Sequence, residues 1–180
     1  MAANRAGTAP SLPPVTLILG GARSGKSSFA ETMTITHPRG CIYLATAEIG
    51  DEEMAERVRK HRARREAHWR TVEAPLELAP AIVAETEQGA AVLVDCLTLW
   101  LSNLMTAQRD PERETEELVR ALGQAGGPAV FVANEVGLGI VPDNALARAF
   151  RDHAGRLNQR IAEIANSVFF VAAGLPLRLK

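Results

Sequence analysis

Five short runs in the chain are apolar at every position or nearly so: VTLIL (15–19), CIYLA (41–45), AVLVD (91–95), AVFVA (129–133) and VFFVA (168–172). They are rich in β-branched or aromatic residues. Runs of this kind predict strands covered on both faces, as in a mostly parallel sheet. Between them the pattern turns helical: residues 26–36 up to Pro38, residues 51–65, a Leu/Ala/Val run to about residue 87, and residues 110–122. Asp110 followed by Pro111 is a helix start, because aspartate caps orphan N–H groups and proline has none to lose. The longest predicted helix covers 144–165, where Leu146, Phe150, Leu157, Ile161 and Ile164 recur along one face. The closing LPLRLK allows an antiparallel edge strand, the position where Pro176 is tolerated. Alternating strands and helices without an internal repeat predict an α/β three-layer sandwich.

Composition narrows the class. The 180 residues are 47% hydrophobic and 23% charged, with net charge −1, which describes a single soluble domain, taken here as residues 15–180. A chain of this size buries roughly 70% of its unfolded surface, so it needs no disulfide staples and Cys41 and Cys96 need not pair. Residues 1–14, rich in Ala and Pro, read as a flexible tail. No stretch reaches membrane-spanning length and the start has no signal-like apolar region, so a cytoplasmic setting is expected. The near-zero charge argues against a general nucleic-acid binder.

Directly after the first predicted strand comes Gly20-Gly21-Ala22-Arg23-Ser24-Gly25-Lys26-Ser27, which fits G-x-x-x-x-G-K-[ST] in the required strand, loop, helix context. Such a loop turns successive N–H groups toward phosphate oxygens, and the following helix offers its positive end to the same anion. Lys26 is expected on the β- and γ-phosphates and the Ser27 hydroxyl on Mg²⁺. Asp95, closing AVLVD, is the candidate second ligand for Mg²⁺, because α/β sheets bind ligands at the carboxyl ends of their strands. An acid at that position can equally be a strand terminator. A GTPase switch is disfavoured, since no Asn/Thr-Lys-x-Asp guanine-reading element is present.

Residues 57–70 hold seven cations (Arg57, Arg59, Lys60, Arg62, Arg64, Arg65, Arg70) against one acid, Glu66. The plainest reading is a solvated helix face, with Glu53–Arg57 and Glu56–Lys60 as i,i+4 pairs. His61, however, falls on the same helical face as Met54 and Val58. Neighbouring cations disfavour imidazolium, which leaves a lone pair for attack on phosphorus. The residues alone leave two readings open: His61 as a nucleophile, or as a packing residue at the core edge. His37 falls in a loop, His68 reads as packing beside Trp69, and His153 lies within the long helix.

Taken together, GGARSGKS, the E-M-x-x-R-x-x-x-H pattern (Glu53, Met54, Arg57, His61), HWRTVE (68–73), VDCLTLWLSN and NEVGLGIVPDN (134–144) resemble the bifunctional adenosylcobinamide kinase/adenosylcobinamide-phosphate guanylyltransferases of cobalamin biosynthesis. The resemblance runs from about residue 15 to residue 180. It implies two reactions: γ-phosphoryl transfer from ATP or GTP to the aminopropanol hydroxyl of adenosylcobinamide, then guanylylation of a histidine by GTP and transfer of GMP to adenosylcobinamide phosphate. The residue matching the nucleotidylated histidine is His61, and Lys26 of the phosphate loop is the other catalytic candidate. The implied nucleotide contacts are Gly20 to Ser27, then Ala45, Thr46 and Ala47, then Arg62, Ala63, Arg64 and Arg65, with Glu73 and Asp95. The resemblance also implies a trimer. The run Leu97, Leu99, Trp100, Leu101, Leu104, Met105 then reads either as ordinary core or as interface lining. Two features depart from the pattern: the long tail, and Lys60 beside His61, an added cation that lowers the histidine pKa further.

Other classes stay in view. A P-loop small-molecule kinase would need Lys26 but not His61. A nucleotide-gated interaction protein would bind GTP without releasing pyrophosphate, and a polynucleotide binder using residues 57–70 would lose affinity steeply with salt.

Overall fold

The computed structural model describes residues 12–47 and 69–180. In chain order these form β1 (Val15–Gly20), α1 (Lys26–Thr34), β2 (Cys41–Ala45), β3 (Trp69–Glu73), α2 (Leu78–Thr86), β4 (Ala91–Asp95), α3 (Leu97–Thr106), α4 (Pro111–Leu122), β5 (Ala129–Asn134), α5 (Ala145–Ile164), β6 (Ser167–Ala172) and β7 (Leu175–Arg178). The expected helix over 51–65 lies outside the described residues. So does most of the expected tail; its last residues, Leu12 and Pro14, reach the fold, Leu12 packing against the α1 side and the Pro14 carbonyl accepting from Ala129 N at 2.9 Å.

The seven strands form one sheet in the order β3-β2-β4-β5-β1-β6-β7. Every pairing is parallel except β6 with β7, the antiparallel edge that the LPLRLK segment allows. Pro176 lies on that outermost strand, where its missing N–H breaks no ladder. Alternate residues of the inner strands feed two cores. Leu17, Ile42, Leu44, Val92, Val94 and Phe131 pack with the inward faces of α2, α3, α4 and α5. Ile18, Tyr43, Leu93, Val130 and Val132 pack on the other face, with Ala30 and Phe29 of α1. Both cysteines are buried and free.

Two elements are absent from the sequence reading. β3 is an edge strand with one neighbour, so WRTVE alternates instead of being apolar throughout, and its polar positions hide it. The run from Leu97 to Met105 is a helix, α3, and its use is core: Leu97, Trp100, Leu101 and Leu104 are all but fully buried. The long helix begins its packing later than expected. Leu157 and Ile161 are buried and Phe150 packs against the core, but Leu146 is 71% exposed. The helix starts are as the residues dictate. Asp110 Oδ1 accepts from Glu112 N and Arg113 N (3.0 and 3.3 Å), and Asn144 Oδ1 accepts from Ala147 N at 2.7 Å.

Candidate active site

The parallel strands all end on one edge, and their register sets the candidate residues side by side. Glu73 faces Ala45 across β3 and β2, Ala45 faces Asp95 across β2 and β4, and Gly20 lies between Asn134 of β5 and Val171 of β6. The loop from Gly20 to Ser27 rises from this row into α1. Gly20 is required by close approach: a Cβ there would meet Val171 O at 2.5 Å and Ser24 Oγ at 2.7 Å. Gly25, the residue before α1, has φ +97°, a left-handed backbone that glycine adopts freely. The β6–β7 turn supports the loop from behind, where Gly174 N donates to Ser24 O at 2.7 Å.

Lys26 opens α1 and folds back over the loop, its Nζ donating to Gly21 O at 2.8 Å. It is 7% exposed, and burial lowers its ammonium pKa, opposed by the nearby Cys96 thiol and Asp95 carboxylate. The fold therefore sets the loop lysine and the strand-end carboxylate on the same edge of the sheet, close enough for the carboxylate to favour the ammonium. Inside the loop Ser24 Oγ is buried without a hydrogen-bond partner among the described residues. An orphaned buried hydroxyl in a loop of this motif is a place an anion would satisfy. The Ser27 hydroxyl and the Asp95 carboxylate are hard oxygen donors of the kind Mg²⁺ takes, so the residues present fit that ion.

Several contacts around this edge are not legible in the sequence. Tyr43 donates its hydroxyl to Asp95 Oδ2 at 3.0 Å, fixing how the carboxylate is turned. Thr46, expected at the nucleotide, has its hydroxyl between the Cys96 carbonyl and the Cys96 N–H, both at 2.8 Å, and so ties the end of β2 to the end of β4. Asn103 of α3 donates to Thr46 O (2.7 Å) and Pro75 O (3.0 Å), anchoring the exits of β2 and β3. Thr98 accepts from Asn134 N at 2.7 Å. A sequence signal existed for two of these residues. Tyr43 is the single tyrosine, set within an apolar strand, and Asn103 is the one amide in its helix.

Ala45 and Ala47 lie at the end of β2 and just beyond it, and Glu73 is exposed at the end of β3. His61, Arg62, Ala63, Arg64 and Arg65 lie outside the described residues. His153 sits between α4 and α5, its Nδ1 2.9 Å from Glu112 and 3.0 Å from Arg156. Among the described residues no helix is long and apolar enough to cross a membrane.

A glycine loop, a folded-back lysine and a strand-end aspartate on a mostly parallel sheet define a P-loop nucleotide-binding α/β protein. Solved structures agree at the level of fold. A type III secretion system ATPase superposes with TM-score 0.61 at 11% identity, covering 91% of this chain and 56% of that one. A Pyrococcus horikoshii OT3 protein gives 0.56 at 8% identity, covering 94% and 87%. Residues 16–179 match the family described as cobinamide kinase / cobinamide phosphate guanyltransferase, and the chain belongs to that family of kinase and guanylyltransferase enzymes. It is 52% identical over 167 residues to the bifunctional adenosylcobalamin biosynthesis protein CobP of Pseudomonas aeruginosa, covering 91% of this chain and 96% of the relative. It is 41% identical over 179 residues to the bifunctional adenosylcobalamin biosynthesis protein CobU of Salmonella typhimurium, covering 91% and 98%.

Proposed function

We propose that this chain performs both reactions of its family in the cytoplasm. In the first, the aminopropanol hydroxyl of adenosylcobinamide attacks the γ-phosphorus of ATP or GTP, giving adenosylcobinamide phosphate and a nucleoside diphosphate. In the second, His61 attacks the α-phosphorus of GTP, pyrophosphate leaves, and the substrate phosphate displaces the histidine to give adenosyl-GDP-cobinamide. The observation that carries the reading is the phosphate loop, with Lys26 buried beside Asp95 at the strand-end edge.

The chemistry follows from these groups. The loop N–H groups and the Ser24 hydroxyl hold phosphate oxygens, and Lys26 exchanges its bond to Gly21 O for the β- and γ-phosphates. Ser27 and Asp95 would hold Mg²⁺, which would supply neutralisation of phosphate charge. Tyr43 holds Asp95 in one orientation. For the second reaction, the cations around His61 keep it neutral and therefore nucleophilic, and Arg62, Arg64 and Arg65 neutralise departing pyrophosphate. Splitting the transfer lets a neutral imidazole, not a second phosphate anion, meet the triphosphate first. Glu73, exposed at its strand end, accepts hydrogen bonds from the sugar or base.

The assembly proposed is a homotrimer, to be checked by light scattering. The function is tested by incubating the protein with adenosylcobinamide, Mg²⁺ and GTP and following products by mass. The account expects the phosphate and then the GDP-linked corrinoid. Accumulation of the phosphate alone supports instead a kinase without nucleotidyl transfer.

A further inference from the structure

The segment between β5 and α5 is built like a scaffold but presents apolar side chains to solvent. Glu135 N donates to Gly20 O at 3.1 Å, so the segment leaves the sheet one hydrogen bond from the phosphate loop. Its first turn is closed by Gly137 N on Glu135 Oε1 (2.7 Å). Its far end is held by Arg148, which donates to Pro142 O (2.9 Å) and Asp143 O (2.7 Å). Between these clamps Leu138 is 81% exposed, Ile140 97% and Val141 59%, and Leu146 in the first turn of α5 is also exposed. Fixed ends with outward apolar side chains are a costly arrangement for a loop with no contact to make.

We propose that this segment is the bed for the acceptor of both reactions, a corrinoid, with Leu138, Ile140, Val141 and Leu146 under an apolar face of the macrocycle. The proposal rests on the functional reading above and assigns a subsite to it. Two properties favour this occupant. The first is continuity with the phosphate loop, because an acceptor lying on this segment carries its tethered hydroxyl toward the γ-phosphate over Gly20. The second is charge. From Glu135 to Asn144 the segment has two acids, Glu135 and Asp143, and no Lys or Arg. Arg148 is turned back onto the segment's carbonyls. An acidic, apolar bed suits a corrinoid, whose cobalt carries positive charge amid methyl-bearing, uncharged edges, and does not suit a polyphosphate.

The test is equilibrium dialysis of adenosylcobinamide, read by corrin absorbance, against wild type, Leu138→Ser and Ile140→Ser, with GTP affinity and subunit number measured on the same samples. Both side chains face solvent in the described structure, so the substitutions leave the core intact. Burying one such side chain against a ligand predicts about a tenfold or greater rise in acceptor Kd in each variant. GTP affinity and subunit number should not change. Wild-type binding of adenosylcobinamide with equal binding by both variants overturns the inference and leaves the functional reading standing. A wild type that binds GTP but no adenosylcobinamide overturns both. Weakened acceptor binding that appears only with a changed subunit number also overturns the inference, making the segment a contact between copies.

Discussion

Replacing Tyr43 by Phe removes one hydroxyl and little else. The ring is 5% exposed and stacks edge-on against Trp69 with centroids 6.3 Å apart, contacts that phenylalanine keeps. Among the described contacts, what is lost is the 3.0 Å bond to Asp95 Oδ2. A hydrogen bond to a charged group is worth ~1.5–3 kcal/mol. Asp95 is only half-buried, so water replaces part of that bond. About 1–1.5 kcal/mol then remains as the cost of an unfixed carboxylate, a roughly five- to tenfold loss of affinity. The loss belongs to the Mg²⁺ complex, because Tyr43 acts through Asp95 and not on the triphosphate itself. Calorimetric titration with GTP in Mg²⁺ should therefore show the loss, and titration with GTP in a chelator should not. Equal losses in the two titrations, or none in either while thermal stability falls, would refute the positioning role.

Other outcomes follow from the same geometry. Lys26→Ala should abolish product formation in both reactions without unfolding the chain, checked by activity and circular dichroism. Thr46→Val leaves the Cys96 N–H and carbonyl without their 2.8 Å partners, for a destabilisation of ~2–4 kcal/mol in denaturant melts. The Cys96 thiol is pushed up to about 11, chiefly by burial, and burial likewise raises Cys41. Alkylation at pH 8 should therefore modify neither cysteine in the native chain and both in denaturant. Arg160 holds Glu116 below the usual glutamate range. That small α4–α5 link is present above the unfolded glutamate pKa and is lost as pH falls through the lower folded value, as NMR titration of Glu116 would follow.

The five apolar strands were legible because a strand buried on both faces must be apolar at nearly every position, and they include both strands that frame the site. The phosphate loop was legible because its spacing is set by phosphate chemistry, not by the surrounding fold. Where contacts cross the sheet, the sequence was mute. Tyr43 and Asp95 are 52 positions apart, as the β2–β4 pairing brings them together, and no local pattern announces that pairing. Thr46 carried a legible address at a strand end, but its clamp on Cys96 depends on the same pairing. α3 escaped because LTLWLSNLM is apolar nearly all round and shows little periodicity. Leu146 was misread because periodicity gives the angle around a helix axis and not the depth along it, so a residue on the correct face can still lie in solvent.

The most direct test of the account is to incubate the chain with α-labelled GTP and Mg²⁺ and locate the label by peptide mass analysis. The account predicts a label on His61, stable to base and labile to acid as a phosphoramidate is, with release of pyrophosphate and no label in His61→Ala. An unlabelled wild type that still phosphorylates adenosylcobinamide, or an undiminished label in His61→Ala, would contradict it.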